Sequence, residues 1–356
     1  MLTLLVFILI LSVLILIHEY GHYITAKRNG IKVEEFGFGF PPRLFSRKRG
    51  GTLFSINAIP FGGFVKMKGE DGVAKGQDSF SSKSIWVRIK VVLAGVFFNF
   101  LLAVFILTIG YATVGLPQAI DENVYGGANI ADKSIVLTSV LKDSPADKTG
   151  LRPQDKILEV NGKKPNSIAE IQNEIKATSG TEVSVKVSRN SEEKILKATP
   201  TTIEGESKIG ISMAEVGTVS YSFWKAPLVG LLISLKFIAF LGTFLWALVT
   251  GAFSLREVSQ SVAGPVGIFN IVGQAVSLGL PYVFAILAQL SVTLAVINVL
   301  PFPALDGSRI LFLAIEKIRG KRVNERIEAA IHAVGFGVLI LLLLLITYND
   351  VGRFFR

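Results

Sequence analysis

His18, Glu19 and His22 form the pattern His-Glu-x-x-His. On a helix this spacing sets two imidazoles one turn apart on one face, close enough to share a tetrahedral metal ion, with a carboxylate beside them placed as a general base. The chain has three histidines, and two of them fall in this pattern. It has no cysteine, which excludes disulfides and thiolate chemistry and leaves imidazole and carboxylate as the metal ligands. A helix end whose polar residues merely stop an apolar run is the plain alternative.

A catalytic zinc takes three protein ligands and keeps one position open. Residues 1–33 contain one acid, Glu19; residues 81–120 contain none; residues 258–315 contain only Asp306. Ionisable groups within apolar segments are costly and are functional candidates by default. Asp306 could instead cap the helix that continues as Gly307-Ser308-Arg309-Ile310-Leu311. Pro301 and Pro303, just upstream, break the incoming helix and free the backbone to aim a carboxylate at a metal. Zn2+ is the expected ion, although iron or cobalt suits the same nitrogen and oxygen donors.

The elements that must position these groups are membrane helices. Half of the 356 residues are apolar, 18% are charged and the mean hydropathy is +0.53, too oily for a soluble globule. Crossing a hydrocarbon core takes about 20 helical residues. Segments 91–116 and 281–300 meet that length, and 333–347 is a shorter run. Residues 1–17 are uncharged, lack a basic leader and a small-residue cleavage site, and lead straight into His18, so they read as a retained helix.

Charge gives the orientation. Residues 23–88 carry 12 Lys and Arg against 5 Asp and Glu, and residues 307–330 carry 6 against 3, so both loops are expected on the cytoplasmic side. The net charge of +10 thus bears on topology, and no nucleic-acid partner is expected. Residues 117–223 then lie outside the cytoplasm; they alternate short strands, a turn at Asn161-Gly162 and a helix over 167–178, enough for one small domain. Parity requires residues 227–280 to cross an even number of times. Segment 227–253, which carries Lys236, is expected to lie in the interface or re-enter, rather than to cross and return through 267–280.

A substrate spanning the bilayer is helical and must be unwound before a carbonyl can be attacked, so something must receive its freed backbone. Residues 52–68 read as two apolar strands around Pro60-Phe61-Gly62-Gly63, a membrane-associated β-hairpin whose edge could pair with an extended chain.

Taken together, His18-Glu19-Tyr20-Gly21-His22, the hairpin with Gly62-Gly63, Ala263-Gly264-Pro265-Val266-Gly267, and Asn298-Val299-Leu300-Pro301-Phe302-Pro303-Ala304-Leu305-Asp306-Gly307 resemble the site-2 protease family, of the bacterial regulator of sigma-E protease type. The resemblance runs over nearly the whole chain. It implies that Asp306 completes the zinc site and that Asn298 contacts the substrate backbone; a helix–helix hydrogen bond is the plain alternative for Asn298. The family usually carries Ala-Gly-Pro-x-x-Asn in the second span, whereas this chain has Ala94-Gly95-Val96-Phe97-Phe98-Asn99, which puts a local kink in doubt.

Ser144-Pro145-Ala146, Gly150-Leu151-Arg152-Pro153-Gln154-Asp155-Lys156-Ile157 and Val160-Asn161-Gly162 resemble a PDZ domain of bacterial proteases, with Gln154 where glycine is usual. Such a domain binds peptide ends by strand addition, or excludes bulky substrates sterically.

The expected architecture is therefore a polytopic α-helical membrane protein of about four spans, with an interfacial or re-entrant segment, a β-hairpin and an inserted α+β PDZ domain. Residues 1–116 form the first membrane part, 127–216 the PDZ domain and 222–356 the second membrane part. The expected activity is a zinc endopeptidase of the bacterial cytoplasmic membrane, acting on transmembrane proteins, with Glu19 as base, His18, His22 and Asp306 as zinc ligands, and Asn298, Gly62 and Gly63 at the substrate. Its partners are the lipid bilayer, transmembrane protein substrates and a peptide ligand of the PDZ domain. A pseudoenzyme scaffold would need a broken metal set; a zinc transporter would leave Glu19 and the peptide-binding fold unexplained.

Overall fold

The computed structural model describes residues 1–70, 76–120, 124–178, 180–189, 192–203, 206–252 and 262–354. Two compact units emerge, one from residues 1–109 with 227–356, the other from 110–226.

The first unit is helical. Helix α1 (Leu2–Arg28) is 27 residues long, about 40 Å at 1.5 Å per residue, and the His-Glu-x-x-His pattern lies in its second half. Lys27 and Arg28 sit in its final turn, where cations favour the helix dipole. Helix α2 (Ile85–Thr113) runs unbroken through Ala94-Gly95 and on to Asn99, as expected without the proline. Helices α5 (Ala226–Val249), α6 (Pro265–Leu278), α7 (Leu280–Val299), α8 (Asp306–Arg319) and α9 (Glu325–Phe354) complete it; α3 and α4 belong to the second unit.

Among the described residues five helical stretches are long and apolar enough to cross a membrane: Leu2–Arg28, Ile85–Thr113, Ala226–Val249, Leu280–Val299 and Arg326–Gly352. The protein is thus a multi-pass membrane protein. The third covers most of segment 227–253, expected to lie in the interface or re-enter, and is by length and composition able to cross instead; residue 253 lies outside the described ones. Its 24 residues form one unbroken helix of span length, with Lys236 as the single charge in an otherwise apolar sequence. At Gly230, α5 lies against α2: a Cβ there would sit 3.0 Å from the Val104 carbonyl oxygen.

Phe7, Ile10 and Leu14 of α1 and Val272 of α6 form one buried cluster, with Leu287, Leu290 and Leu294 of α7 against it. A second, nearer the histidines, joins Ala26, Ile31, Val33, Val65, Met67, Phe80, Val91 and Val92.

Strands β1 (Val33–Arg49) and β2 (Thr52–Met67) are antiparallel. The expected hairpin within 52–68 is not what forms. Both arms of β2 pair with the same stretch of β1: Phe36 faces Val65 and Phe54, and Phe38 faces Gly63 and Ile56. The second half of β1 then pairs with the first arm of β2, as in Phe45 with Ile56. An extended stretch directs backbone N–H and C=O groups to both edges, so 33–38 can pair on two sides, which a sequence reading confined to β2 does not reveal.

The second unit is a six-stranded antiparallel sheet in the order β3-β10-β4-β5-β6-β7, from β3 (Leu116–Ala119), β4 (Asn129–Val140), β5 (Lys156–Val160), β6 (Val183–Arg189), β7 (Glu192–Ala198) and β10 (Ile211–Ser220). A small hairpin, β8 (Thr201–Ile203) with β9 (Glu206–Lys208), precedes β10. Helix α4 (Ile168–Ala177) buries Ile171 and Ile175 against Ile135, Leu137, Ile157, Val183, Val185 and Val187; Ser167 caps it, its hydroxyl accepting from the Glu170 amide. The short α3 (Pro145–Lys148) is capped by Ser144. Asp155 is fully buried and accepts two hydrogen bonds from Arg189, at 2.6 and 2.7 Å, and one from the Arg152 amide. Gln154, where glycine is usual, has φ +72°, a left-handed backbone that favours glycine.

Candidate metal centre

The two histidines and Asp306, 284 residues further along, meet at one point. An oxygen of Asp306, Oδ2, lies 3.0 Å from His18 Nε2 and 3.3 Å from His22 Nε2, and the two Nε2 atoms are 3.2 Å apart. Ligands about 2.05 Å from a tetrahedral zinc stand roughly 3.3 Å from one another, so the triangle has the edges of three corners of a zinc tetrahedron.

Hydrogen bonding explains why these atoms face one another. His22 donates from Nδ1 to the Val91 carbonyl at 2.9 Å, which leaves Nε2 a bare lone pair. Asp306 Oδ2 is buried and no donor reaches it. Acceptors packed at 3.0–3.3 Å repel one another unless a cation lies between them, so the donor set fits a zinc ion.

His18 is held from the other side. Its Nδ1 is 3.4 Å from the side-chain amide nitrogen of Asn99, while Asn99 Oδ1 is buried without a donor. Amide nitrogen and oxygen are assigned by their partners. Rotating the amide satisfies both groups at once, with His18 Nδ1–H donating to Asn99 Oδ1 and Nε2 freed for the metal. The backbone of Asn99 is held by the Ser291 hydroxyl, which donates to its main-chain carbonyl at 2.7 Å.

Glycines bring the helices this close. A Cβ on Gly95 would lie 2.4 Å from His22 Nε2, and one on Gly21 would lie 2.5 Å from the Ala94 carbonyl oxygen. The backbones of α1 and α2 therefore touch at the histidines. Asp306 does not cap α8: the N-cap is Leu305, no side-chain cap bond forms, and the carboxylate turns to the histidines instead. Gly307 makes this possible, since a Cβ there would fall 2.1 Å from the Val299 carbonyl oxygen.

Ion pairs tie α8 to the rest of the unit. Arg88 of α2 and Glu316 of α8 form a buried two-pronged pair at 3.0 and 2.5 Å, and Arg309 pairs with Glu70. Burial disfavours the Arg309 charge, but Glu70 outweighs it and raises the guanidinium above its ordinary value.

Glu19, on the next residue of α1, carries a carboxylate to which no described residue hydrogen-bonds; a Cβ on Gly63 would lie 3.3 Å from its Cγ. Gly63 and Gly62 thus belong to the same neighbourhood, Gly62 with φ +102° beneath the Phe40 ring. Asn298 lies half-buried on the last turn of α7, its side chain without a hydrogen bond to any described residue. Sequence reasoning missed the Val91 carbonyl and the contact of Asn99 with His18. The signal for the second was present in the Ala94-Gly95 pair, small residues that allow close helix approach, with one amide a turn further on.

Comparison with known proteins gives the family. The sequence profile of peptidase family M50 matches residues 6–342. A Clostridium perfringens protein named as a zinc metalloprotease is 36% identical over 97% of this chain and 97% of its own length. The regulator of sigma-W protease RasP of Bacillus subtilis is 29% identical over 99% of both chains, and the zinc metalloprotease RasP of Geobacillus kaustophilus 29% over 98% and 97%. A solved PDZ domain of an SdrC-like protein from Listeria monocytogenes is 24% identical, covering 26% of this chain and 93% of that one, with a TM-score of 0.21. With a profile match over residues 6–342 and relatives named as zinc metalloproteases over nearly its whole length, the chain belongs to peptidase family M50 and is an intramembrane zinc metalloprotease.

Proposed function

We propose that the protein is an endopeptidase that hydrolyses single-span membrane proteins within or beside their transmembrane segments, with His18, His22 and Asp306 as zinc ligands and Glu19 as the general base. The observation that carries this reading is the convergence of three lone-pair donors within 3.3 Å, with an unpaired carboxylate on the adjoining residue. Zinc held there supplies a Lewis acid that acidifies water and polarises a peptide carbonyl. Glu19 takes the proton of the attacking water and returns it to the leaving amine. Val91 and Asn99 keep the two imidazoles in the tautomer that presents Nε2.

Residues 63–67 serve as the receiving edge. They pair with 33–38 on one side only among the described residues, and the missing side chain of Gly63 leaves room beside Glu19. An unwound substrate can add there as a further strand, its backbone bonds replacing those lost from the helix. Asn298, its amide unpaired at the end of α7, is the proposed second contact.

The basic loops lie on the cytoplasmic side, and the second unit lies outside the cytoplasm as a PDZ domain spanning 127–216 at its core, selecting substrates by peptide binding or by size. In this topology α5 crosses inward from the outer side, and parity has the chain return outward before α7, with the 14-residue α6 as the short return. The inner membrane of a bacterium is the proposed location, and a pre-trimmed anti-sigma factor or a remnant signal peptide the proposed substrate; the sigma-W name of the Bacillus subtilis relative favours the former.

The test is cleavage of a pre-trimmed single-span substrate in reconstituted membranes, with bound zinc measured in parallel. Wild type should cut and Glu19→Gln should not, both holding about one zinc per chain. Chelation should abolish cleavage and added zinc restore it. Unchanged cleavage by Glu19→Gln would refute the assigned base.

A further inference from the structure

The third histidine, His332, lies outside the metal triangle, yet it sits on a helix long and apolar enough to cross the membrane, where an ionisable side chain calls for a role. Backbone hydrogen bonds in the loop that aims Asp306 locate that role. Pro301 and Pro303 have no N–H. The Phe302 amide donates to the Leu300 carbonyl at 2.7 Å and the Leu305 amide to the Phe302 carbonyl at 3.1 Å. That leaves Ala304, whose amide donates to His332 Nδ1 at 3.1 Å.

Ala304 has φ +76°, a left-handed backbone that a non-glycine residue holds only when its surroundings impose it. Helix α9 supplies those surroundings. One turn beyond His332, Gly335 meets the loop so closely that a Cβ would fall 2.2 Å from Pro303 Cβ. On the other flank the His332 ring packs against Phe312 of α8, with centroids 5.7 Å apart. The imidazole is wedged between the loop and the helix that Asp306 begins.

We propose that His332 is a positioning residue for the metal centre: by accepting the Ala304 amide it locks the left-handed turn two residues before Asp306 and fixes where that carboxylate meets His18 and His22. The ion pairs of Arg88 and Arg309 hold α8 further along, whereas His332 holds the loop at the ligand itself. The inference rests on the proposed ligand set. It gives α9 a part in metal binding although α9 contributes no ligand.

The test uses the full-length protein in detergent or nanodiscs, with zinc affinity measured by chelator competition and the visible spectrum recorded after cobalt substitution. His332→Phe keeps a ring but loses the acceptor; it should weaken zinc binding about tenfold and alter the cobalt spectrum. His332→Asn carries Oδ1 the same number of bonds from the backbone as Nδ1, so it should recover affinity to within about threefold and restore the spectrum. Wild-type affinity and spectrum in His332→Phe would overturn the inference, and so would an Asn variant as impaired as the Phe variant. Asp306→Asn separates the two readings. If it loses zinc while His332→Phe does not, only the positioning role fails; if it keeps zinc, the ligand set fails first.

Discussion

Gly95→Ala puts the close approach of α1 and α2 to the strictest test. The added Cβ would lie 2.4 Å from His22 Nε2 and 2.7 Å from His18 Cε1, whereas a non-bonded carbon needs about 3.5 Å. His22 must therefore move by about 1 Å or α2 must back away. The first is opposed by the bond from His22 Nδ1 to the Val91 carbonyl at 2.9 Å; the second by the contact of Gly21 with Ala94. Zinc–ligand distances tolerate only about 0.2 Å, so a displacement five times larger removes one ligand from the set. Overpacking of this kind costs about 1–3 kcal/mol, and 3 kcal/mol is about a hundredfold in zinc affinity. The assay is chelator competition on the purified protein, alongside cleavage of a single-span substrate. Gly242→Ala on α5, where nothing lies within 4 Å of the new Cβ, is the control and should match wild type. If Gly95→Ala binds zinc within about threefold of wild type, the argument that glycine is required by the metal site is wrong.

Asn99→Ala should weaken zinc binding about tenfold through the loss of the partner of His18 Nδ1, while Asn99→Asp, which retains an acceptor, should keep most of it; chelator competition reads both. Asp155→Asn, which breaks the buried pair with Arg189, should destabilise the second unit by about 3 kcal/mol, seen as faster amide exchange at Ile157 and Val187. Gln154→Gly should have the opposite effect, raising the stability of that unit by about 0.5–1 kcal/mol through relief of a left-handed backbone, measured by thermal unfolding.

Much of the site was legible because its chemistry depends on residue type. Only two histidines four apart and one isolated aspartate were available, and apolar stretches have few other polar groups to confuse the choice. The strands read at 156–160 and 183–187 and the helix read over 167–178, from short apolar runs between turn signals, form as Lys156–Val160, Val183–Arg189 and Ile168–Ala177. Segment 227–253 was harder to place, since one lysine in a hydrophobic run is compatible with an interfacial or a spanning helix and only the unbroken 24 residues favour the second.

The candidate ligand types and the apolar segments are properties of single residues and short windows, and those were legible in the amino-acid sequence by itself. Which carbonyl fixes His22, which amide faces His18, how β1 comes to lie between the two arms of β2, and why His332 belongs beside the Asp306 loop were decided only in the tertiary structure. Each is a contact between groups distant along the chain, by 28 residues for His332 and Ala304 and by 81 for Asn99 and His18. A hydrogen bond of this kind leaves no periodicity in either segment. It exists because buried polar groups must find partners wherever packing places them.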